Sequence, residues 1–188
     1  LDMRMDQDNP LSAYEVVNNY TKEQLTDIFF KYGEDKFARN IAKKIVEYRE
    51  EKPIETTLEL VEIIKSAVPM KFRKDKHPAR QIFQAIRIEV NHELDVIEPA
   101  LEQALSMLKV GGRVVVITFH SLEDRIVKNF FKEKCAIDQM LQGMPNIPDE
   151  YLPDYKLVNT KAIIPNDKEL SENTRSRSAK LRVIERVK

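Results

Sequence analysis

At 188 residues the chain has room for one large domain or two small ones, and a hydrophobic content of 42% suffices for a packed core. Its 31 acidic and 31 basic side chains cancel, so net charge singles out neither nucleic acid nor a membrane surface. The one cysteine, Cys135, excludes an intrachain disulfide and suits a reducing compartment, while no apolar run approaches the roughly 18 residues of a membrane span and no signal-peptide pattern opens the chain.

Leu1-Asp2-Met3-Arg4-Met5-Asp6 alternates apolar and charged residues, which fits a short strand or an ordered loop. Ser12 with Glu15 and Thr21 with Gln24 have the spacing of capping boxes and start two helices. The second runs to about Tyr32, where Gly33 suits the C′ position. A third helix is expected from Glu34 to about Glu51, with Phe37, Ile41, Ile45 and Tyr48 on one stripe and Pro53 as its stop. Thr56 with Glu59 starts a fourth, which Pro69 ends. Residues 71–77 read as a basic loop. Pro78 suits a first helical turn, and from Phe83 to Leu108 apolar residues recur every three or four positions. Pro99 kinks or divides that long helix.

Gly111-Gly112 turns the chain into a strand at about 113–119. Five apolar residues in 114–119, four of them β-branched, suit a strand covered on both faces, as in a parallel α/β sheet. A helix follows at about 122–134, with Ser121 and Asp124 resembling a capping box. Beyond Lys134 an irregular stretch with Gly143, Pro145, Pro148 and Pro153 leads to strands at 155–164 and 180–187, an antiparallel pair at a sheet edge. Polar residues 165–179 join them.

Chemistry concentrates in three places. The strand delivers His120 and Ser121 to its carboxyl end, the ligand edge of an open α/β sheet. His120 reads as an orienting donor, a base or a packed histidine, and Ser121 as a helix cap, since GxSxG is absent. Gln84, Arg87 and Asn91 share one helix face, whose amide and guanidinium groups suit base edges, phosphates or backbone carbonyls, though a solvated face has the same pattern. Two basic clusters, Lys71 to Arg80 and Arg175, Arg177, Lys180 and Arg182, can meet phosphate. No histidine has metal-site spacing, and none of the four glycines forms a phosphate-cradling loop. Cys135 reads as a structural or surface thiol.

The blocks LDMRMD, YGEDKFARNIAKKIVEYR, PIETTLELVEII, HPARQIFQAIRIEVNHEL, GGRVVVITFHSLEDRIVKNFF and RSRSAKLRVIER follow one another in this order. Together they closely resemble the bacterial ribosomal RNA small-subunit methyltransferase H family, also called MraW, over nearly the whole chain; residues 135–155 are the least distinctive. The resemblance implies a cytoplasmic S-adenosylmethionine-dependent enzyme that methylates N4 of a cytidine in small-subunit ribosomal RNA. Its partner is that RNA or the assembled small ribosomal subunit, with no membrane involved. The implied fold class is α/β: the C-terminal part of a Rossmann-like methyltransferase domain plus an inserted all-helical domain. Residues 1–11 then end the first methyltransferase segment, 12–80 form the insertion and 81–188 the later catalytic part. In the family LDMRMD lies well inside the protein, so the resemblance implies an N-terminally truncated chain, inactive alone, whose S-adenosylmethionine site lies in the missing part. Gln81 stands where relatives are expected to carry a basic residue, with Arg80 beside it.

In that frame His120 and Ser121 are the candidates at the reacting base, and Arg80, Arg87, Asn91, Arg175 and Arg177 the candidates for RNA. A cytosine amine is a poor nucleophile, so the enzyme must align it with the sulfonium methyl and accept a proton. The base must be unstacked to enter a pocket. The competing reading is a non-enzymatic helical RNA-binding or adaptor protein, which the basic clusters and the absent glycine loop also fit. Bare strand edges would favour association with another chain, a homodimer included.

Overall fold

A computed structural model describes residues 1–72, 77–141 and 143–188. Arg73, Lys74 and Lys76 of the first basic cluster lie outside the described residues. The chain divides into two units, Leu1–Glu93 and Leu94–Lys188.

The first unit is helical: α1 Ala13–Asn19, α2 Lys22–Lys31, α3 Ala38–Glu51, α4 Thr57–Ala67 and α5 Ala79–Asn91. Ser12, Thr21 and Thr56 each close a full capping box with the Glu or Gln three residues on, so α1, α2 and α4 start where the spacing predicts. The α3 helix begins later than expected. Gly33 presses against two backbone carbonyls, where a Cβ would come within 2.6 Å of Phe29 O and 3.0 Å of Gln81 O. Glu34 then takes the left-handed conformation at φ 49°, and Asp35 Oδ1 accepts the Phe37 N–H at 2.7 Å. This turn occupies 33–37 before helical geometry can start. Leu25, Phe29, Ile41, Ile45, Leu60, Ile64, Ile82 and Ile86 are fully buried and form the core. The α5 helix packs on α1, α2 and α4 and lies within this unit.

The apolar seam after Phe83 is two helices. α5 ends at Asn91 with His92 left-handed at φ 49°, and α6 spans Ile97–Ser106. Pro99 lies in the first turn of α6, where its missing N–H removes no helical bond; the break falls upstream of it.

The second unit adds β1 Arg113–Thr118, α7 Ser121–Lys134, β2 Tyr155–Leu157, α8 Asp167–Glu172 and β3 Lys180–Arg186. The sheet order is β1-β3-β2 and both pairings are antiparallel. The expected parallel sheet is therefore not the pairing formed among the described residues. Val114 and Val116 join Leu101, Leu105, Val127, Phe130, Phe131 and Ile184 in a core under α6 and α7. The alternate residues Val115, Ile117 and Phe119 are 56%, 55% and 53% exposed, so β1 is covered on one face among the described residues. The first of the two late strands, expected over 155–164, is shorter than expected. The chain leaves the ladder at Asn159, whose Oδ1 takes the Val183 N–H at 3.0 Å; only Ile163 returns, bridging Leu181. Among the described residues no helix is long and apolar enough to cross a membrane.

Candidate functional site

Strand alternation decides what stands at the carboxyl end of β1. Phe119 continues the outward face of Val115 and Ile117, and the turn into α7 follows at once. Two adjoining hollows flank Phe119. One, of about 400 Å³, is walled by Ile117, Phe119, Ile163, Ile164 and Leu181, with Asn166, Glu169 and Asn173 among its lining groups. The other, of about 340 Å³, is lined by Phe119, His120, Ser121, Ile164, Arg177 and Lys180. The structure thus brings together His120, Ser121 and Arg177, which lie up to 57 positions apart in sequence.

His120, and not Ser121, is the N-cap of α7. Its Nδ1 accepts the Glu123 N–H at 3.4 Å, and Glu123 Oε2 accepts the His120 N–H at 3.2 Å and the Phe119 N–H at 2.8 Å. The predicted Ser121–Asp124 box is displaced by one residue, leaving Ser121 as the first helical residue and Asp124 available for other work. Because Nδ1 is the acceptor, the neutral imidazole carries its proton on Nε2. That atom is buried, 3.3 Å from Glu123 Oε1 but poorly aligned, and has no hydrogen bond among the described residues.

Asp124 is buried and ties α7 to β3. Arg182 Nε and Nη2 donate to its two oxygens at 2.7 and 3.1 Å, and Lys180 Nζ donates at 3.1 Å. The register explains the cluster: Arg182 and Lys180 stand opposite Val116 and Thr118, on the face that α7 covers. The Arg182 guanidinium, aided by Lys180, holds the carboxyl below the usual carboxylate range against the opposite push of burial. Neither Phe119 nor Asp124 stood out as a site residue in the sequence. Alternation along β1 was the available signal for Phe119.

The remaining candidates have varied fates. Arg175 is exposed and does not line either hollow. In the first unit Arg87 forms a bidentate pair with Glu93 at 2.7 and 2.9 Å. Asn91 holds the LDMRMD segment: it accepts the Met5 N–H at 2.8 Å and donates to Met3 O at 2.8 Å and Arg87 O at 2.9 Å. That segment is an ordered loop, and Met3 takes φ 66° within it. Gln84 donates to Tyr32 O at 3.1 Å. Arg80 is exposed on a separate hollow of this unit. Burial pushes the Cys135 thiol up, away from thiolate reactivity.

The family model described as the MraW methylase family matches residues 1–187. This chain belongs to the MraW methylase family. Membership supports methyltransferase activity and implies S-adenosylmethionine as methyl donor. The residues of this MraW chain do not by themselves fit that cofactor. Gly33 serves helix packing, Gly111 and Gly112 lie before β1, at the end away from Phe119, and Gly143 is remote in sequence from any strand-to-helix turn. None builds a backbone cradle at the carboxyl end of β1.

Proposed function

We propose that this chain is the substrate-side part of an S-adenosylmethionine-dependent enzyme that methylates N4 of a cytidine in small-subunit ribosomal RNA. The cofactor loop is supplied by residues outside these 188, so the chain alone transfers no methyl group. The reading puts the enzyme in the cytoplasm, on the RNA or on the small subunit being assembled. The observation that carries it is the family match over residues 1–187 on a chain whose β1 ends in a paired hollow around Phe119.

In this reading Phe119 offers the aromatic face on which an unstacked cytosine lies. Ser121 and Arg177 supply the polar rim, and Arg177 with Arg175 meets backbone phosphate. His120 acts as a positioning residue, since its ring caps α7 and fixes the 119–121 turn. The amine, poorly nucleophilic through delocalisation, gains from being held in line. The test is methyl transfer by the enzyme as its gene encodes it. Phe119→Ala should raise KM for RNA at least about tenfold, the order of one lost base–aromatic stack. Unchanged KM and kcat would overturn the assignment.

A further inference from the structure

We propose a second RNA contact in the first unit, a stacking site for one unpaired nucleotide built from Phe37, Phe72, Lys36 and Arg80; it rests on the RNA substrate proposed above. The two rings lie 5.3 Å apart between centroids at 54° to one another. Phe72 follows α4 and is 41% exposed, so part of its ring face is open to a ligand. Lys36 Nζ stands 3.7 Å from the Phe72 centroid and 5.1 Å from that of Phe37. A cation–π contact at so exposed a site is weak, and a nucleotide replaces it with two better ones: a base for the ring and a phosphate for the ammonium.

The surrounding turn is built to hold these groups in place. Gly33 allows the close approach to Gln81 O, Glu34 is left-handed, and buried Asp35 fixes the Phe37 amide. The result is a hollow of about 340 Å³, roomy enough for a single base, which Arg80 and His77 also line. Glu34 and Asp35 line it too and repel phosphate, so the anion is confined to the side of Lys36 and Arg80. Aromatic faces with adjacent cations are how proteins hold single strands without reading sequence. This gives the exposed Arg80 a ligand, and it explains why the turn at 33–37 interrupts the expected start of α3.

The experiment is fluorescence anisotropy of the full 188-residue chain with a labelled unpaired RNA of about 12 nucleotides, over a salt series. Phe72→Leu keeps apolar volume but loses the π-face, and should weaken binding at least about fivefold with an unchanged salt slope. Phe72→Trp should restore it. Lys36→Gln should flatten the slope of log K against log salt by about 0.7, one phosphate contact on a single strand. Wild-type binding that Phe72→Leu leaves within twofold, while Arg175→Gln with Arg177→Gln weakens it, would overturn this site and leave the RNA reading standing. No binding by the wild-type chain would overturn this site, while the methyl-transfer assay decides the RNA reading separately.

Discussion

Replacing Asp124 by Asn changes one atom and removes one charge from the contact between α7 and β3. Arg182 loses two charge-assisted hydrogen bonds, at 2.7 and 3.1 Å, each worth roughly 1.5–3 kcal/mol. The amide keeps one acceptor oxygen, so part of one bond survives. Lys180 is 42% exposed at its side chain, and its pair with Asp124 adds under about 1 kcal/mol. Arg182, 13% exposed, is left with an uncompensated charge. The expected loss is about 3 kcal/mol, near the low end for breaking a buried pair. Because the two units need not unfold together, the amides of β3 are the proper probe: their native-state hydrogen exchange at pH 7 should accelerate by about a hundredfold. The pH dependence has a fixed sign. The Asp124 pKa is lowered in the folded state, so its contribution is full above the unfolded value of about 3.9 and disappears as pH falls through the folded one. The gap between wild type and Asp124→Asn, read by urea unfolding, should therefore narrow in acid. A loss below about 1 kcal/mol at pH 7, or a gap unchanged down to about pH 2, would refute the reasoning.

Other expectations are independent of this one. His120→Ala should cost about 1 kcal/mol by removing the α7 cap, and His120→Asn should recover it; if His120 positions the 119–121 turn, Asn also recovers kcat in the complete enzyme, and a kcat that stays low in Asn assigns the ring a direct role. Phe131→Ala, at a fully buried site, should destabilise the second unit by roughly 3–5 kcal/mol in urea titrations followed at β3 amides. Gly33→Ala places a Cβ 2.6 Å from Phe29 O and should cost more than about 1 kcal/mol, seen as a lower melting temperature; a neutral result would show that the turn relaxes. Asn91→Ala deletes three hydrogen bonds, so the Met5 amide should exchange about tenfold faster, the effect of losing roughly 1.5 kcal/mol.

What the sequence discloses here is local. Ser12, Thr21 and Thr56 announce their helices because both members of each capping box lie within one turn. The strand at 113–118 follows from its β-branched run. At residue 121 the same rule errs by one position: Ser is the commoner cap, yet the imidazole of His120 has an acceptor at the right place and Glu123 completes the box. The strand expected over 155–164 is cut short because an amide side chain, Asn159, substitutes for backbone in the ladder, a choice that depends on Val183, 24 positions away. Asn91 shares a face with Arg87 in the sequence pattern, while the partners its amide binds, Met3 and Met5, are 88 and 86 positions distant and could not be read from that face. An apolar run such as Val114–Phe119 predicts cover on both faces without saying what provides it. The hollow around Phe119 needs the 163–166 and 176–180 segments to fold back beside β1, and no spacing in the chain foretells that.

The central claim is the reaction. The complete enzyme should be incubated with isotope-labelled S-adenosylmethionine and small-subunit ribosomal RNA, and the digested RNA analysed by mass spectrometry. The account predicts label in N4-methylcytidine, strongly reduced by Phe119→Ala. Label in a ring-carbon methyl group, in another base, or in no nucleotide at all would contradict it.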